Sequence, residues 1–508
     1  MNELAKVEDY LETITVKEPS PSKDLTVQSN EEDQVCLISA SDGSHTIAKS
    51  LTIDVEEEKA LVRKLDRRFV PVLAFAYFLQ SLDKTNIGNA YTSGMKEDLN
   101  LTSRQYSNAV SVLYSTFLAT QIPTTLYLRI IPPRYFMSAM VFCWSIITMC
   151  SGFVKSYHSL LALRVLLGLF EGGYFPAMVL LVSMVYKPEE QAKRIAFFFG
   201  CAALAGAFGG LIATGMATVR GAAGLNGWRW LYIIEGLISI TAAAWIYFGL
   251  PNDVENPDFL DEHERKLLQL RSKQRLQYVG AKQEFSWTFV WDALKDFKVY
   301  TGLLIQFCQN IILYAITTFL PAILKLGLGY TSREAQYMSV PVYVLAATVF
   351  LSSAYLSDRF NLRGPFILGF NMVTIVGYIL MLTVKSNGVK YFACYLMTFS
   401  AYTGPGLNVT WVSNNIAPHY KRATAIGLSQ TFGNLAGAIA GQVYIEPPYV
   451  LGNSFALGCV VFSSILVAFQ IITFYSINGR RASILRGERI DKGTIKEGDK
   501  ALNFRYCL

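Results

Sequence analysis

The sequence predicts an all-α membrane protein with twelve transmembrane helices in two halves of six. Hydrophobic residues make up 52% of the 508 positions and charged residues only 16%, whereas a soluble domain has about 25% charged residues. The apolar residues are concentrated in twelve runs of about 20 residues, the length that crosses a bilayer as a helix. One long hydrophilic stretch then divides these runs into two sets of six.

The first set forms a predicted N-terminal half at 67–249, and the second forms a C-terminal half at 297–478. The predicted spans are 69–90, 107–127, 135–153, 159–181, 195–218, 230–249, 298–320, 335–356, 365–384, 390–412, 423–444 and 454–477. The charged stretch 250–296 is predicted to be a cytosolic linker. Residues 1–66 are acidic and rich in Ser and Thr, which favours a disordered cytosolic tail, and 479–508 form a cytosolic C-terminal tail.

The orientation follows from the positions of Lys and Arg, which are enriched in cytosolic loops. They concentrate in the gaps on the same side as the N-terminus, for example at Arg134, Lys193 and Arg422. Both termini are therefore predicted to be cytosolic.

The glycosylation sequon that begins at Asn100 then lies in the first exterior loop. Because the positive charges are spread over several loops and two tails, nucleic-acid binding is not predicted.

Several kinds of chemistry find no support in the sequence. The eight cysteines form no CxxC pair, the four histidines lie far apart, and no phosphate-binding loop is present. There is no nucleophile–base pair, so an enzyme is not expected. We expect no metal and no cofactor.

Two six-helix halves indicate an internal repeat, which is the layout of the major facilitator fold. The loop after the eighth span, 355–364, contains Asp358, Arg359 and Arg363 and resembles that family's loop signature. An ordinary charged turn is the alternative interpretation. Helix-breaking runs also stand at equivalent places, Glu171-Gly172-Gly173 in the fourth span and Gly404-Pro405-Gly406 in the tenth. We predict conformational roles for Asp358, Arg359, Arg363, Gly404, Pro405 and Gly406.

Charged side chains inside the predicted spans are costly, at about 2.5–3.5 kcal/mol or more, and so they mark candidate functional residues. They are Asp83, Lys84, Arg164, Glu171 and Glu235. Asp83 and Glu171 are predicted to belong to a central functional site, with buried, satisfied carboxyls as the alternative. Arg164 could also cap or pair near the outer face. Glu235 is interpreted as a structural anchor with Arg229 as its partner.

The two halves differ in the polar groups of their spans. The N-terminal half carries the charges, whereas the C-terminal half carries mainly amides, which favours hydrogen bonding to a substrate there. The predicted substrate-binding residues are Lys84, Arg164, Asn86, Gln306, Asn310, Asn408, Gln430 and Asn434.

Four motifs in order resemble the anion:cation symporter branch of the major facilitator superfamily, and most closely its fungal allantoate permease group. Residues 82–90 (LDKTNIGNA) are similar to the group's LDRxNIGNA, and 164–176 (RVLLGLFEGGYFP) to its RxLLGxxEaGxxP. Residues 227–236 (GWRWLYIIEG) resemble GWRWxFxIEG, and 250–265 resemble LPD…LsxxER. The two tails are not covered.

The resemblance implies a plasma-membrane symporter, monomeric, that imports small organic anions such as nicotinate, pantothenate or allantoate with protons. It assigns proton coupling to Asp83 and Glu171, and anion binding or gating to Lys84 and Arg164. Lys84 stands where the group usually has Arg. Its ammonium is a point charge and cannot form the paired hydrogen bonds that an arginine guanidinium makes to a carboxylate. The alternatives are a uniporter or exchanger on the same fold, or a nutrient-sensing transceptor that signals through its tails. A vacuolar or endoplasmic reticulum membrane is the alternative location.

Overall fold

The structure, a computed structural model, describes the ranges 26–29, 35–39, 45–49, 54–127, 131–219, 221, 224–254, 256–278, 287–417, 419–487, 498–502 and 504–508. The chain forms two compact units, Met1–Val62 and Arg63–Leu508.

The first unit contains three short strands where the sequence predicts a disordered tail. They are β1 Thr26–Ser29, β2 Val35–Ser39 and β3 His45–Lys49. They pair antiparallel in the order β1-β2-β3, with Thr26 opposite Ser39 and Val35 opposite Lys49. Each strand is short and carries β-branched residues, which favour extended backbone. The remaining residues before Asp54 lie outside the described part of the chain.

In the described residues, seven helices form the N-terminal half, besides a single helical turn at Lys96–Asp98, and the first begins earlier than its predicted span. Its start at Val55 follows Asp54, whose side chain accepts the backbone N–H of Glu56 at 2.9 Å, as a helix cap does. The helices are α1 Val55–Ala90, α2 Ser103–Tyr127, α3 Pro133–Ser151, α4 Tyr157–Glu171, α5 Tyr174–Val185, α6 Pro188–Thr218 and α7 Gly227–Gly249. The predicted fourth span is therefore two helices, α4 and α5.

The described residues of the predicted linker form two helices, α8 Glu262–Tyr278 and α9 Trp287–Leu294. Ion pairs join α8 to the first half, because Lys64 Nζ lies 2.6 Å from Glu264 and Arg271 lies 2.7 Å from Glu190. These two ion pairs hold the linker against the N-terminal half.

The C-terminal half repeats the pattern of the first, including a divided fourth span. Its helices are α10 Phe297–Ala322, α11 Ser332–Phe360, α12 Gly364–Thr383, α13 Asn387–Ala401, α14 Thr403–Asn415, α15 His419–Val443 and α16 Val450–Leu485. The two halves contact each other where α2 packs on α15 and where α6 packs on α11.

Contacts between connecting segments define two ends of the helix bundle. At one end Arg229 binds Asp98 at 2.9 Å and Ser332 Oγ donates to the carbonyl of Thr92 at 2.5 Å; we call this the outer end. At the other, Arg194 binds Asp66 at 2.6 Å; we call this the inner end. The predicted orientation would make them exterior and cytosolic, respectively.

Seven helical segments of the described chain are long and apolar enough to cross a membrane, with Tyr157–Val185 counted as one. Others, such as α1 and α2, carry several polar side chains in the predicted spans, which lowers their mean hydropathy. The twelve spans and the cytosolic position of both termini stay predictions.

The predicted C-terminal tail is partly ordered against the inner end of the C-terminal half. Helix α16 continues to Leu485, and residues 498–502 and 504–508 lie against the bundle. Tyr506 stacks on Phe474 with ring centroids 4.7 Å apart, and Cys507 accepts the indole N–H of Trp411 at 2.9 Å through its carbonyl. The segment therefore closes part of the inner face of this half.

Candidate functional site

The candidate site lies where the fourth predicted span of each half is interrupted. The break between α4 and α5 occurs at Gly172 and Gly173, and Gly172 approaches α2 so closely that an added Cβ would overlap the carbonyl oxygen of Phe117. The break between α13 and α14 stands at Tyr402, directly before Gly404. Equivalent breaks in two repeats are the usual sign of a central binding site in transporters.

Two buried carboxyls, Asp83 of α1 and Glu171 at the end of α4, form the acidic part of the site. Each side chain is at most 1% exposed. None of the four carboxylate oxygens has a hydrogen-bond partner among the described residues. The two groups lie close enough for their charges to act on each other. A buried carboxylate without hydrogen-bond donors is costly, which singles out these two acids among the buried polar groups of the described chain.

Two cations accompany these acids. Lys84 is half-buried, and its ammonium lies 4.4 Å from the ring centroid of Phe117. Arg164 is buried and donates to the hydroxyl of Tyr232 at 2.8 Å. The charges of Lys84 and Arg164 both act on Asp83 and Glu171. The structure therefore brings together all four charged residues that the sequence singled out for proton coupling and anion binding.

Glu235 joins this group, although the sequence analysis interpreted it as an anchor paired with Arg229. That pairing is wrong: Arg229 binds Asp98 and donates to the carbonyls of Gly152 and Val154 at 3.1 and 2.8 Å. Glu235 is 1% exposed and accepts the amide N–H of Asn86. Asn86 lies one turn after Asp83 on α1, so this hydrogen bond brings Glu235 to the helix face that carries Asp83.

The predicted amides of the C-terminal half form a network around Gln306. Its Oε1 accepts the amide of Asn408 at 2.7 Å, and its Nε2 donates to Gln430 at 3.1 Å. Asn434 accepts the hydroxyl of Tyr314 at 2.7 Å. Asn310 is buried, and its Oδ1 has no partner in the described ranges.

A second amide network was not predicted. Gln309 donates to Asn371 at 2.8 Å and to Ser463 at 2.9 Å, and it accepts the hydroxyl of Ser400 at 2.5 Å. Gln309 also fills the space beside Gly404, where an added Cβ would overlap its side chain. This network holds α10, α12, α13 and α16 together. The break before Gly404-Pro405-Gly406 is therefore packed against polar groups.

Two tyrosines connect the N-terminal and C-terminal parts of the site. The rings of Tyr114 and Tyr314 lie 4.5 Å apart across the interface between α2 and α10. Tyr114 lies near Glu171 and Arg164, whose charges act on it. Tyr314 bonds Asn434, so the pair links the charged residues of one half to the amides of the other.

The predicted conformational loop lies at the inner end, apart from these residues. Arg363 forms an ion pair with Asp358 and donates to Ser357 at 2.7 Å, and its backbone N–H donates to the carbonyl of Leu508 at 2.5 Å. Arg359 is exposed. The acid and one base therefore pair within the loop, which caps the end of α11.

Contacts on Thr92 join the two halves at the outer end, and Thr92 lies in a π-helical segment, Tyr91–Met95. Its carbonyl accepts Lys325 at 2.7 Å and Ser332 at 2.5 Å, and its hydroxyl accepts Gln336 at 2.9 Å. We call these contacts the Thr92 latch. A cavity of ≈ 620 Å³ lies around the latch and is lined partly by Glu97 and Asp98.

No group of side chains in the described ranges has the composition of a metal site. The arrangement of buried acids, cations and amides between two halves is that of a carrier. Residues 73–441 match the family model of the Major Facilitator Superfamily, and the chain belongs to this family.

Relatives and solved structures agree with that assignment. The chain is 47% identical to an uncharacterized transporter of Schizosaccharomyces pombe over 94% of its length and 99% of the relative's. It is 36% identical to the high-affinity nicotinic acid transporter of Saccharomyces cerevisiae, covering 84% of this chain and 80% of that one. A bacterial homolog of the human lysosomal transporter Spinster, crystallised inward-facing and unoccupied, superposes with a TM-score of 0.62 at 18% identity, covering 82% and 97% of the two chains.

These findings define a multi-pass membrane transporter for a small molecule. The family and the similar proteins are transporters and not enzymes. The likeness to the Spinster homolog shows the fold alone.

Proposed function

We propose that the protein imports a small organic anion together with protons across the plasma membrane, as a monomer working by alternating access. The observation that carries the proposal is the meeting of Asp83 and Glu171 with Lys84 and Arg164 in one buried site. The four motifs similar to the fungal allantoate permease group support the same assignment.

The cations suit an anionic substrate. Lys84 offers three N–H donors and is half-buried, so a carboxylate can approach it. Arg164 is already bound to Tyr232, which holds its guanidinium in place. We assign the contact with the substrate to Lys84. Arg164 contributes a fixed positive charge to the site.

Proton coupling follows from competition for Lys84. In the empty site its positive charge stabilises the carboxylates of Asp83 and Glu171. An arriving anion neutralises Lys84, and the acids lose part of that stabilisation. Because burial disfavours the charged carboxylate, substrate binding then favours proton uptake. Substrate and proton thus move together.

The C-terminal half supplies neutral contacts. The buried Oδ1 of Asn310 has no partner among the described residues, and Gln306, Gln430, Asn408 and Asn434 supply further polar groups from this half. Such amides can recognise ring nitrogens or amide groups of a substrate. Nicotinate is the first substrate to test, because the yeast relative is a nicotinic acid transporter; pantothenate and allantoate are the next.

The test compares exchange with accumulation. Cells that lack endogenous uptake would express wild type, Glu171→Gln or the control Glu262→Gln, whose carboxyl is exposed in the linker. Labelled nicotinate, pantothenate and allantoate would be supplied at external pH 5 and pH 7. Glu171→Gln should exchange substrate yet lose pH-driven accumulation, and the control should behave as wild type.

Medium alkalinisation during uptake would be measured in the same cells. Substrate uptake without proton uptake would replace the proposal with a uniporter or exchanger. Unchanged pH dependence in both Glu171→Gln and Asp83→Asn would remove these acids from coupling.

A further inference from the structure

The guanidinium of Arg164 is held by a hydroxyl, whereas three other arginines of the bundle are held by acids. Arg164 is 2% exposed and donates to Tyr232 at 2.8 Å, which is the one hydrogen bond that it forms within the described part of the chain. Arg194, Arg229 and Arg363 each pair with an aspartate. A hydroxyl is neutral, so this bond fixes the guanidinium and leaves its positive charge uncompensated.

Tyr232 is itself fixed by contacts at the outer end. It is 2% exposed, and its ring meets the indole of Trp228 edge to face, with centroids 6.2 Å apart and an angle of 88° between the planes, an arrangement that aromatic pairs prefer. The indole N–H of Trp228 donates to Asp98 at 3.1 Å, and Asp98 also binds Arg229. The hydroxyl that Arg164 contacts is therefore carried by a ring with a defined position.

Helix α7 joins this arginine to the rest of the proposed site. Arg164 and Glu171 share the buried face of α4 and lie about two helical turns apart. One turn after Tyr232 on α7, Glu235 accepts the amide of Asn86 from α1. Neighbouring positions of α7 thus hold a cation of α4 and an amide of α1 by printed-length hydrogen bonds to neutral or acidic acceptors.

An arginine side chain that is free to rotate loses this freedom when it binds a carboxylate, and fixing it beforehand removes that cost. We propose that Tyr232 is a positioning residue for anion recognition. Its hydroxyl holds the guanidinium of Arg164 in one orientation and leaves the other N–H donors of the guanidinium to a substrate carboxylate. This inference rests on the proposed function, in which Arg164 belongs to the anion site.

Tyr232→Phe keeps the ring against Trp228 and removes only the acceptor for Arg164. Uptake of labelled nicotinate, pantothenate and allantoate would be measured in cells and normalised to surface expression. The apparent KM for the transported anion should rise about tenfold, as expected when a hydrogen bond to a charged group is lost. Vmax should stay close to that of wild type, because the bond contributes to binding and not to the later steps.

Tyr174→Phe is the matched control. Tyr174 of α5 is fully buried, meets Trp144 edge to face at 5.2 Å, and donates its hydroxyl to the carbonyl of Leu73 at 3.1 Å. The control therefore removes a buried phenol hydroxyl from the same half, but one that contacts a backbone carbonyl and no cation. Its KM should equal that of wild type.

A double-mutant cycle tests whether Tyr232 acts through Arg164. Tyr232→Phe should raise KM in the wild-type background and have no further effect in an Arg164→Met background. If it raises KM by the same factor in both, Tyr232 acts independently of the arginine and the inference is overturned. Where Arg164→Met transports too slowly for a KM, stabilisation of the purified protein by the transported anion gives the same comparison.

Should Arg164→Met fail to reach the membrane, Tyr232→Phe is judged against Tyr174→Phe alone: a KM above that of the control supports positioning, and an equal KM overturns it. The same assay separates this inference from the proposed function. If wild type takes up none of the three anions, the proposed function fails and the inference falls with it. If wild type takes up an anion and Tyr232→Phe matches the control, only the role of Tyr232 fails.

Discussion

Lys421 and Asp499 form a buried ion pair at the inner end, with Nζ and Oδ2 3.0 Å apart. The residues lie 78 positions apart in the chain. Asp499 also pairs with Lys298, and Asp296 binds Lys421 at 2.6 Å. Two lysines and two aspartates thus form a closed cluster that joins α10, α15 and the C-terminal segment.

Replacing Asp499 should destabilise the C-terminal half. Asp499→Asn leaves two buried lysines with one aspartate, and removing one member of a buried ion pair costs about 3–5 kcal/mol. We expect a lower midpoint of thermal unfolding for the purified protein. Lys500→Gln, at an exposed neighbour, is the control. Equal midpoints for Asp499→Asn and wild type would show that the segment contributes little stability.

The cluster also predicts a pH range for stability. Burial acts to raise the pKa of Asp296, but the charge of Lys298 and the bond from Lys421 outweigh it, so this pKa lies below its usual value. Its stabilisation is therefore complete above about pH 4 and is lost as pH falls further.

The pKa of Lys421 lies above its usual value, because bonding to Asp296 and Asp499 outweighs burial. That contribution is present below about pH 10 and is lost as pH rises beyond it. Unfolding midpoints from pH 3 to pH 11 would test both limits. The stability difference between wild type and Asp296→Asn should shrink below pH 4; a constant difference would contradict the assignment.

Lys84→Ala should raise the apparent KM for the anion about tenfold or more, because a hydrogen bond to a charged group is worth about 1.5–3 kcal/mol. Lys84→Arg should keep part of the activity. The control is Lys96→Ala, since Lys96 lies over Tyr91 at the outer end. Uptake would be normalised to surface expression. If Lys84→Ala were poorly expressed but had a normal KM, Lys84 would be a structural partner of Asp83 or Glu171 and would not bind the substrate.

The orientation can be tested at Asn100, which is exposed next to the outer end with a φ of 49°. An N-terminal epitope should be inaccessible in intact cells and accessible after permeabilisation. If the loop before α2 is too short for glycosylation, lengthening it should allow modification of Asn100. An epitope that is accessible in intact cells would reverse the predicted orientation.

Hydropathy was sufficient to locate the helical segments, because a membrane span needs about 20 apolar residues in sequence. Local spacing also placed Asp83 and Asn86 on one face. The partners of Glu235 and Arg229 could not be found in this way, since they come from a helix and a segment more than 100 residues away.

The contacts of the C-terminal segment could not be predicted for the same reason, because its partners lie far away in the sequence. Its polar composition is typical of a tail, and nothing local distinguishes Asp499 from a solvated acid. Its binding depends on Lys298, 201 positions earlier, and on a groove that exists only after the C-terminal half has folded. The three strands before Asp54 were missed because the surrounding acidic composition outweighed their short β-branched runs.

The Thr92 latch affects how affinity is measured. In the predicted orientation, a ligand added from outside would meet the contacts of Lys325, Ser332 and Gln336 with Thr92, which the proposed alternating access requires to separate. Its observed dissociation constant equals the intrinsic one divided by the fraction of molecules that are open to the exterior. Weakening the latch would therefore make externally added substrate bind more tightly without changing any residue that touches it.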